Sequence, residues 1–119
     1  MDFPERDWKH LRAIQPVART RYCERALAEA AAIIEDDAMS APARYQDLAR
    51  AIAQHNGRMG AAFDDMRRSR AVERLASLIM LQLLTDGELA QFSPEVRTAA
   101  LALNGALDRH VQPEVERAT

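Results

Sequence analysis

The sequence predicts an all-α protein, a compact helical bundle of five or six helices built on a long antiparallel helix hairpin. Three observations predict it. Of the 119 residues 23 are alanine, whereas valine, isoleucine and threonine total 14 and aromatics make up 5%, a balance that favours helix over strand. Apolar residues recur at spacings of three and four, the period of one helix face. Proline and hydroxyl residues stand where helix starts are expected. A hydrophobic content of 48% with 29% charge suits one folded domain, expected over 1–110, with 111–119 a flexible tail.

The first helix opens at Phe3-Pro4-Glu5, where a proline costs no hydrogen bond and the acids Glu5 and Asp7 suit the positive end of the helix dipole. Trp8, Leu11 and Ile14 form its stripe, and Pro16 is expected to end it. A second helix then runs to about Asp36, with Cys23, Leu27, Ala30 and Ile34 as its apolar stripe, flanked by Tyr22, Ala26 and Ile33. After a short linker, Ser40 caps a third helix that carries Pro42 in its first turn. Its stripe of Tyr45, Leu48, Ile52, Met59, Phe63 and Met66 keeps phase across Asn56-Gly57-Arg58-Met59-Gly60, so one continuous helix from Pro42 to Arg67 is expected. In the resulting hairpin Gly57 and Gly60 fall opposite Ala18 to Tyr22, where they would permit close backbone approach.

A fourth helix, Arg70 to Leu84, is apolar around nearly its whole circumference and is expected at the centre of the bundle or in a subunit interface. Thr85 and Glu88 have the spacing of a capping box, opening a short helix through Ala90 or Gln91. Ser93 and Pro94 start the last helix, whose stripe is Val96, Ala100, Leu103 and Leu107.

The chemistry-bearing residues point to no reaction. Glu35-Asp36-Asp37 and Asp64-Asp65 would lie ~33 Å apart along the hairpin, too far to share an ion. His10, His55 and His110 fall on separate helices without ligand spacing, and Cys23 sits in an apolar stripe as a small hydrophobe. No metal, cofactor or catalytic set is therefore expected. Arginine supplies 15 of the 16 basic residues, and with abundant alanine this is the composition of a GC-rich bacterial genome. The net charge of −2 shows no overall bias toward nucleic acid, although Arg67, Arg68, Arg70 and Arg74 are locally dense. A lone cysteine fits a reducing cytoplasm, and no apolar run approaches the ~20 residues of a membrane span.

The run LTDGELAQFSPEVRTAALALNGAL resembles, over about two dozen residues, the helix-turn-helix segment of bacterial repressors. Only Gln91 and Phe92 separate Glu88-Leu89-Ala90 from Ser93, so the turn is too short for that motif. The expected function is a non-enzymatic protein–protein interaction or regulatory module, homodimeric, binding itself or another protein. Its expected surface is Arg67, Arg68, Arg70 and Arg74 with Leu78 and Leu81. The alternative is a nucleic-acid-binding accessory protein that uses the four arginines.

Overall fold

The computed structural model describes residues 2–105, and the expected tail at 111–119, with Leu107 and His110, lies outside them. Helix α1 spans Glu5–Ile34, α2 Ala41–Phe63, α3 Ala71–Met80 and α4 Asp86–Ala90; a further helix, α5, occupies 94–105. No strand occurs among the described residues. The fold is an all-α bundle around an antiparallel α1–α2 hairpin.

Pro16 does not end the first helix, and the two helices expected before the linker are one. Proline removes the bond to the carbonyl of Arg12, but Arg12 and Pro16 both face solvent, where water can satisfy that carbonyl. Helix α1 stops at Ile34 with Glu35 as its C-cap, so the acidic run Glu35-Asp36-Asp37 follows directly on the negative end of its dipole, where carboxylates are unfavourable. Arg44 supplies the favourable charge instead, its Nη1 donating to the carbonyl of Ile34 at 2.6 Å.

Helix α2 starts where Ser40 Oγ accepts from the Ala43 amide at 3.3 Å, and it runs unbroken through Gly57 and Gly60. It ends at Phe63 rather than Arg67, because Asp64 turns extended and Asp65 adopts a left-handed φ of 54°. The expected close approach at the glycines is absent. A Cβ on Gly57 would meet nothing within 4 Å, and one on Gly60 would meet only the Asp64 side chain. The reason is azimuth: His55 faces α1, and a residue two positions on lies about 200° round the helix, toward solvent.

A single 3-10 turn, Arg68–Arg70, leads into α3. That helix ends at Met80, not Leu84, in a Schellman motif: the Leu83 amide donates to Leu78 and the Gln82 amide to Ile79. Gln82 supplies the left-handed residue with φ 56°. Three carbonyls at this end are claimed by α1, since Arg21 donates to Leu83 and Arg25 to Leu81 and Gln82. The capping box of α4 is formed as the sequence predicts, with Thr85 and Glu88 satisfying each other's amides.

The core packs the first half of α1 against the end of α2, α3 and α5. Leu11, Ile14, Ala18, Phe63, Leu75, Leu78, Phe92 and Val96 are among its buried members. Past Tyr22, no residue of α1 is buried, and Ala51 is the only buried residue of α2 before Ala62. The hairpin therefore extends beyond the core as a two-helix arm. This accounts for a radius of gyration of 17.0 Å, against about 13 Å for a sphere-like domain of this length.

Candidate functional site

The arginine cluster is engaged within the chain. Asp65 accepts a two-pronged contact from Arg67 Nε and Nη2 at 2.5 and 2.7 Å, which lowers the Asp65 carboxyl below its ordinary range and raises the Arg67 guanidinium. On a continuous helix Asp64 would be spaced to pair with Arg67 or Arg68; the chain has already left the helix there, and the partner of Arg67 is Asp65. Arg68 binds the Phe3 carbonyl and Glu5, each at 2.7 Å, tying the N-terminal segment to the 3-10 turn. Arg70 pairs with Glu73 at 3.2 Å. Arg74 donates to the carbonyls of Asp64 and Ala61 at 2.7 and 2.8 Å, closing the C-terminal end of α2.

Leu78 is wholly buried in the core, with 0% exposure, and offers a partner no side chain. Leu81 is half-buried at the cap of α3. The apolar circumference expected of this helix is largely consumed inside the chain, apart from exposed Met80.

A second charged group joins α1 to α4. Arg21 Nη1 and Nη2 contact the two oxygens of Glu88 at 2.6 and 3.1 Å, and Glu88 also accepts from the Thr85 amide. Arg21 is the main reason that the Glu88 carboxyl is lowered to about 2, with the Thr85 amide adding to it. A depressed carboxylate stabilises the fold above its unfolded pKa, about 4.5, and loses that contribution as pH falls toward 2. Both groups are partly exposed, so about 1–2 kcal/mol is expected. Denaturation of the native chain and of Glu88→Gln should differ by that amount near pH 6, by less near pH 3, and converge only as pH falls to about 2.

The unmet surface is on the arm. The expected stripe Cys23–Leu27–Ala30–Ile34 of α1 points to one flank of the hairpin. Between the helices Ala51 is buried and Tyr22 pairs with His55, while Ala26 and Ile33 are half-buried. Leu27 is left 68% exposed and Ile34 53%, and across from them Tyr45 is 76% exposed and Ile52 49%. Between these rows a groove of about 170 Å³ is lined by Ala26, Ala30, Leu48, Ile52 and Met59 together with His55. Toward the tip it continues past Ile34, Tyr45 and Leu48. Cys23, expected in the core, is half-buried on α1 ahead of these residues. The other flank of the same arm is charged, with Glu29, Asp47, Arg50 and Gln54 around Ile33.

His55 fixes the hairpin at the root of the groove. Its Nε2 lies 2.5 Å from Glu29 and its Nδ1 2.6 Å from the Tyr22 hydroxyl. A carboxylate only accepts, so Nε2 carries a proton; in the neutral ring Tyr22 therefore donates to Nδ1. Tyr22, Glu29 and His55 were not singled out together from sequence, because the pairing depends on the register between two helices.

Among the described residues, no group of three or more His, Cys, Asp and Glu side chains could hold a metal ion, and no helix is long and apolar enough to cross a membrane. Comparison with protein-family models, with curated proteins and with solved structures returns no match.

Proposed function

We propose that this chain is a non-enzymatic protein–protein interaction or regulatory module of the bacterial cytoplasm, homodimeric through the apolar flank of its hairpin arm. One observation carries the reading: large apolar side chains from two helices lie exposed on one flank while the opposite flank is charged. Leaving such a row in water is unfavourable by about 25 cal/mol per Å², and contiguous apolar patches of this kind mark docking surfaces. A helix pair with one apolar flank is half of a four-helix bundle, so a second such pair completes it. Light scattering on the eluting peak at tens of micromolar should give twice the chain mass of 13.3 kDa. A clean monomer there contradicts the proposal.

The alternative, nucleic-acid binding through Arg67, Arg68, Arg70 and Arg74, has less support, because each of the four already has an intramolecular partner. Arg67, Arg68 and Arg70 are paired with carboxylates and Arg74 keeps its charge on two backbone carbonyls, so few counterions are released and weak binding with a shallow salt dependence is expected for a random duplex. Arg67→Ala with Arg68→Ala should cost stability and leave any such binding unchanged. A steep salt-dependent loss of binding in that variant would restore the alternative.

A further inference from the structure

The reading of the arm as a self-association surface leaves open how the second copy sits on it, and charge along the arm answers this. Two flat faces of the same chain can be joined by a two-fold axis that runs along the arm or one that crosses it. The first sets the two tips side by side. The second sets each tip against the root of the other arm, with α1 lying over α1 and α2 over α2.

The tip carries Glu35, Asp36 and Asp37, all exposed, and among the described residues none of the three is in an ion pair. Tip beside tip would therefore bring six carboxylates together. The root presents the opposite charge on the docking flank. Arg19 precedes Ala30 by eleven residues, three helical turns, so it shares the azimuth of a groove-lining residue. It is exposed, and among the described residues it has no ion-pair partner.

The spacing is symmetric as well. Leu27 lies eight residues after Arg19 and eight before Glu35, ~12 Å from each. Hairpin contacts Gln15 to Phe63, Tyr22 to His55 and Ile34 to Arg44 put Leu27 level with Ala51, beside Ile52, within the exposed apolar stretch. A crossing axis at Leu27 thus buries the apolar rows on each other and delivers each acidic tip to the other copy's Arg19. The paired footprint, about 24 Å long and two helices wide, covers on the order of 500 Å² of each copy, near the minimum for a specific interface.

We propose that the occupant of this face is a second copy of the chain in antiparallel orientation, with Leu27 meeting Leu27 on the two-fold axis and Arg19 meeting the Glu35–Asp37 tip. Like-charge avoidance fixes the orientation, while the apolar rows supply the affinity.

Engineered cysteines in the full chain, with Cys23→Ser as background, separate the arrangements. Under mild oxidation Leu27→Cys should give a covalent dimer and Asp37→Cys should not. A covalent dimer from Asp37→Cys would mean tips together and overturns the orientation. So would failure of Leu27→Cys to cross-link while light scattering still reports a dimer; self-association then survives and the register does not. A monomer by light scattering, without engineered cysteines, overturns the reading on which the proposal rests. As a second readout, Arg19→Glu should weaken the dimer about tenfold at low salt, and adding Glu35→Arg and Asp36→Arg should restore it. If the added reversals weaken the dimer further, the pairing of tip and root is refuted.

Discussion

Replacing Leu27 and Ile52 with glutamate should abolish the dimer while leaving the fold intact. Both side chains are about half exposed or more in the single chain, at 68% and 49%, so each monomer loses little when they change. Substitutions at such positions are usually within ±0.5 kcal/mol of neutral for folding. In the dimer they would be buried twice over, once from each copy. Burial of a leucine or isoleucine contributes roughly 1.5–3 kcal/mol, and a glutamate in its place must also be desolvated without a partner. A rise in dissociation constant of at least a hundredfold, about 2.7 kcal/mol, is the modest end of that range. Sedimentation velocity over a concentration series measures it, with thermal melts as the folding control. Leu75→Ala supplies the opposite pattern, because Leu75 is fully buried and should cost about 2–5 kcal/mol of stability. If Leu27→Glu with Ile52→Glu self-associates like the native chain, the arm is not the interface.

The second large effect is expected at Asp7. Its side chain is 1% exposed, and its two oxygens accept from the amide and hydroxyl of Ser93 at 2.8 and 2.9 Å. An acid on α1 thereby anchors the start of α5, a helix that begins 87 residues later in the sequence. Asp7→Ala leaves two donors at a part-buried site without their acceptor, and hydrogen bonds to a charged group contribute about 1.5–3 kcal/mol each. A loss of about 2–4 kcal/mol is expected, the sum being reduced because water can reach Ser93 once α5 loosens. Asp7→Asn keeps the volume and one acceptor and should lose about half as much. Ser93→Ala, made alone and with Asp7→Ala, closes a double-mutant cycle, and a coupling below about 0.5 kcal/mol would refute the anchoring role.

Asp7 also shows where reading the sequence stopped. In the chain it reads as a first-turn acid complementing the α1 dipole, which is a local argument, and it carries no mark of its distant partner. The local devices were legible: Ser40 and Thr85 cap α2 and α4 as their spacing predicts, and the phase of the apolar positions correctly carried α2 through Gly57 and Gly60. Pro16 misled because its cost depends on whether the orphaned carbonyl faces water, and only the tertiary placement of α1 decides that. The end of α3 was missed because its left-handed residue is Gln82, where glycine is the usual signal, and because the arginines that bind those carbonyls come from α1.

The candidate surface was half legible. The stripes Cys23–Leu27–Ala30–Ile34 and Tyr45–Leu48–Ile52 were visible, but the flank of the hairpin to which they point was not. Their actual azimuth follows from the Tyr22–His55 contact and the buried Ala51, which settle the two helices on a neighbouring face and leave the stripes to one flank. Conversely, the apolar segment from Arg70 to Leu84, read as either the centre of the bundle or a subunit interface, proved to be mostly core. Surplus apolar surface thus exists in this chain, on a different pair of helices from the one that composition singled out.

Side-chain footprinting at low and high protein concentration tests the central claim most directly. Between about 1 and 100 micromolar, where association through a small specific interface is expected to become populated, carbene labelling of Leu27, Tyr45 and Ile52 should fall severalfold. Asp47, Arg50 and Gln54, on the charged flank of the same arm, should label equally at both concentrations. Unchanged labelling of Leu27, Tyr45 and Ile52 while the chain becomes dimeric, or protection confined to the segment from Arg67 to Arg74, would contradict the account.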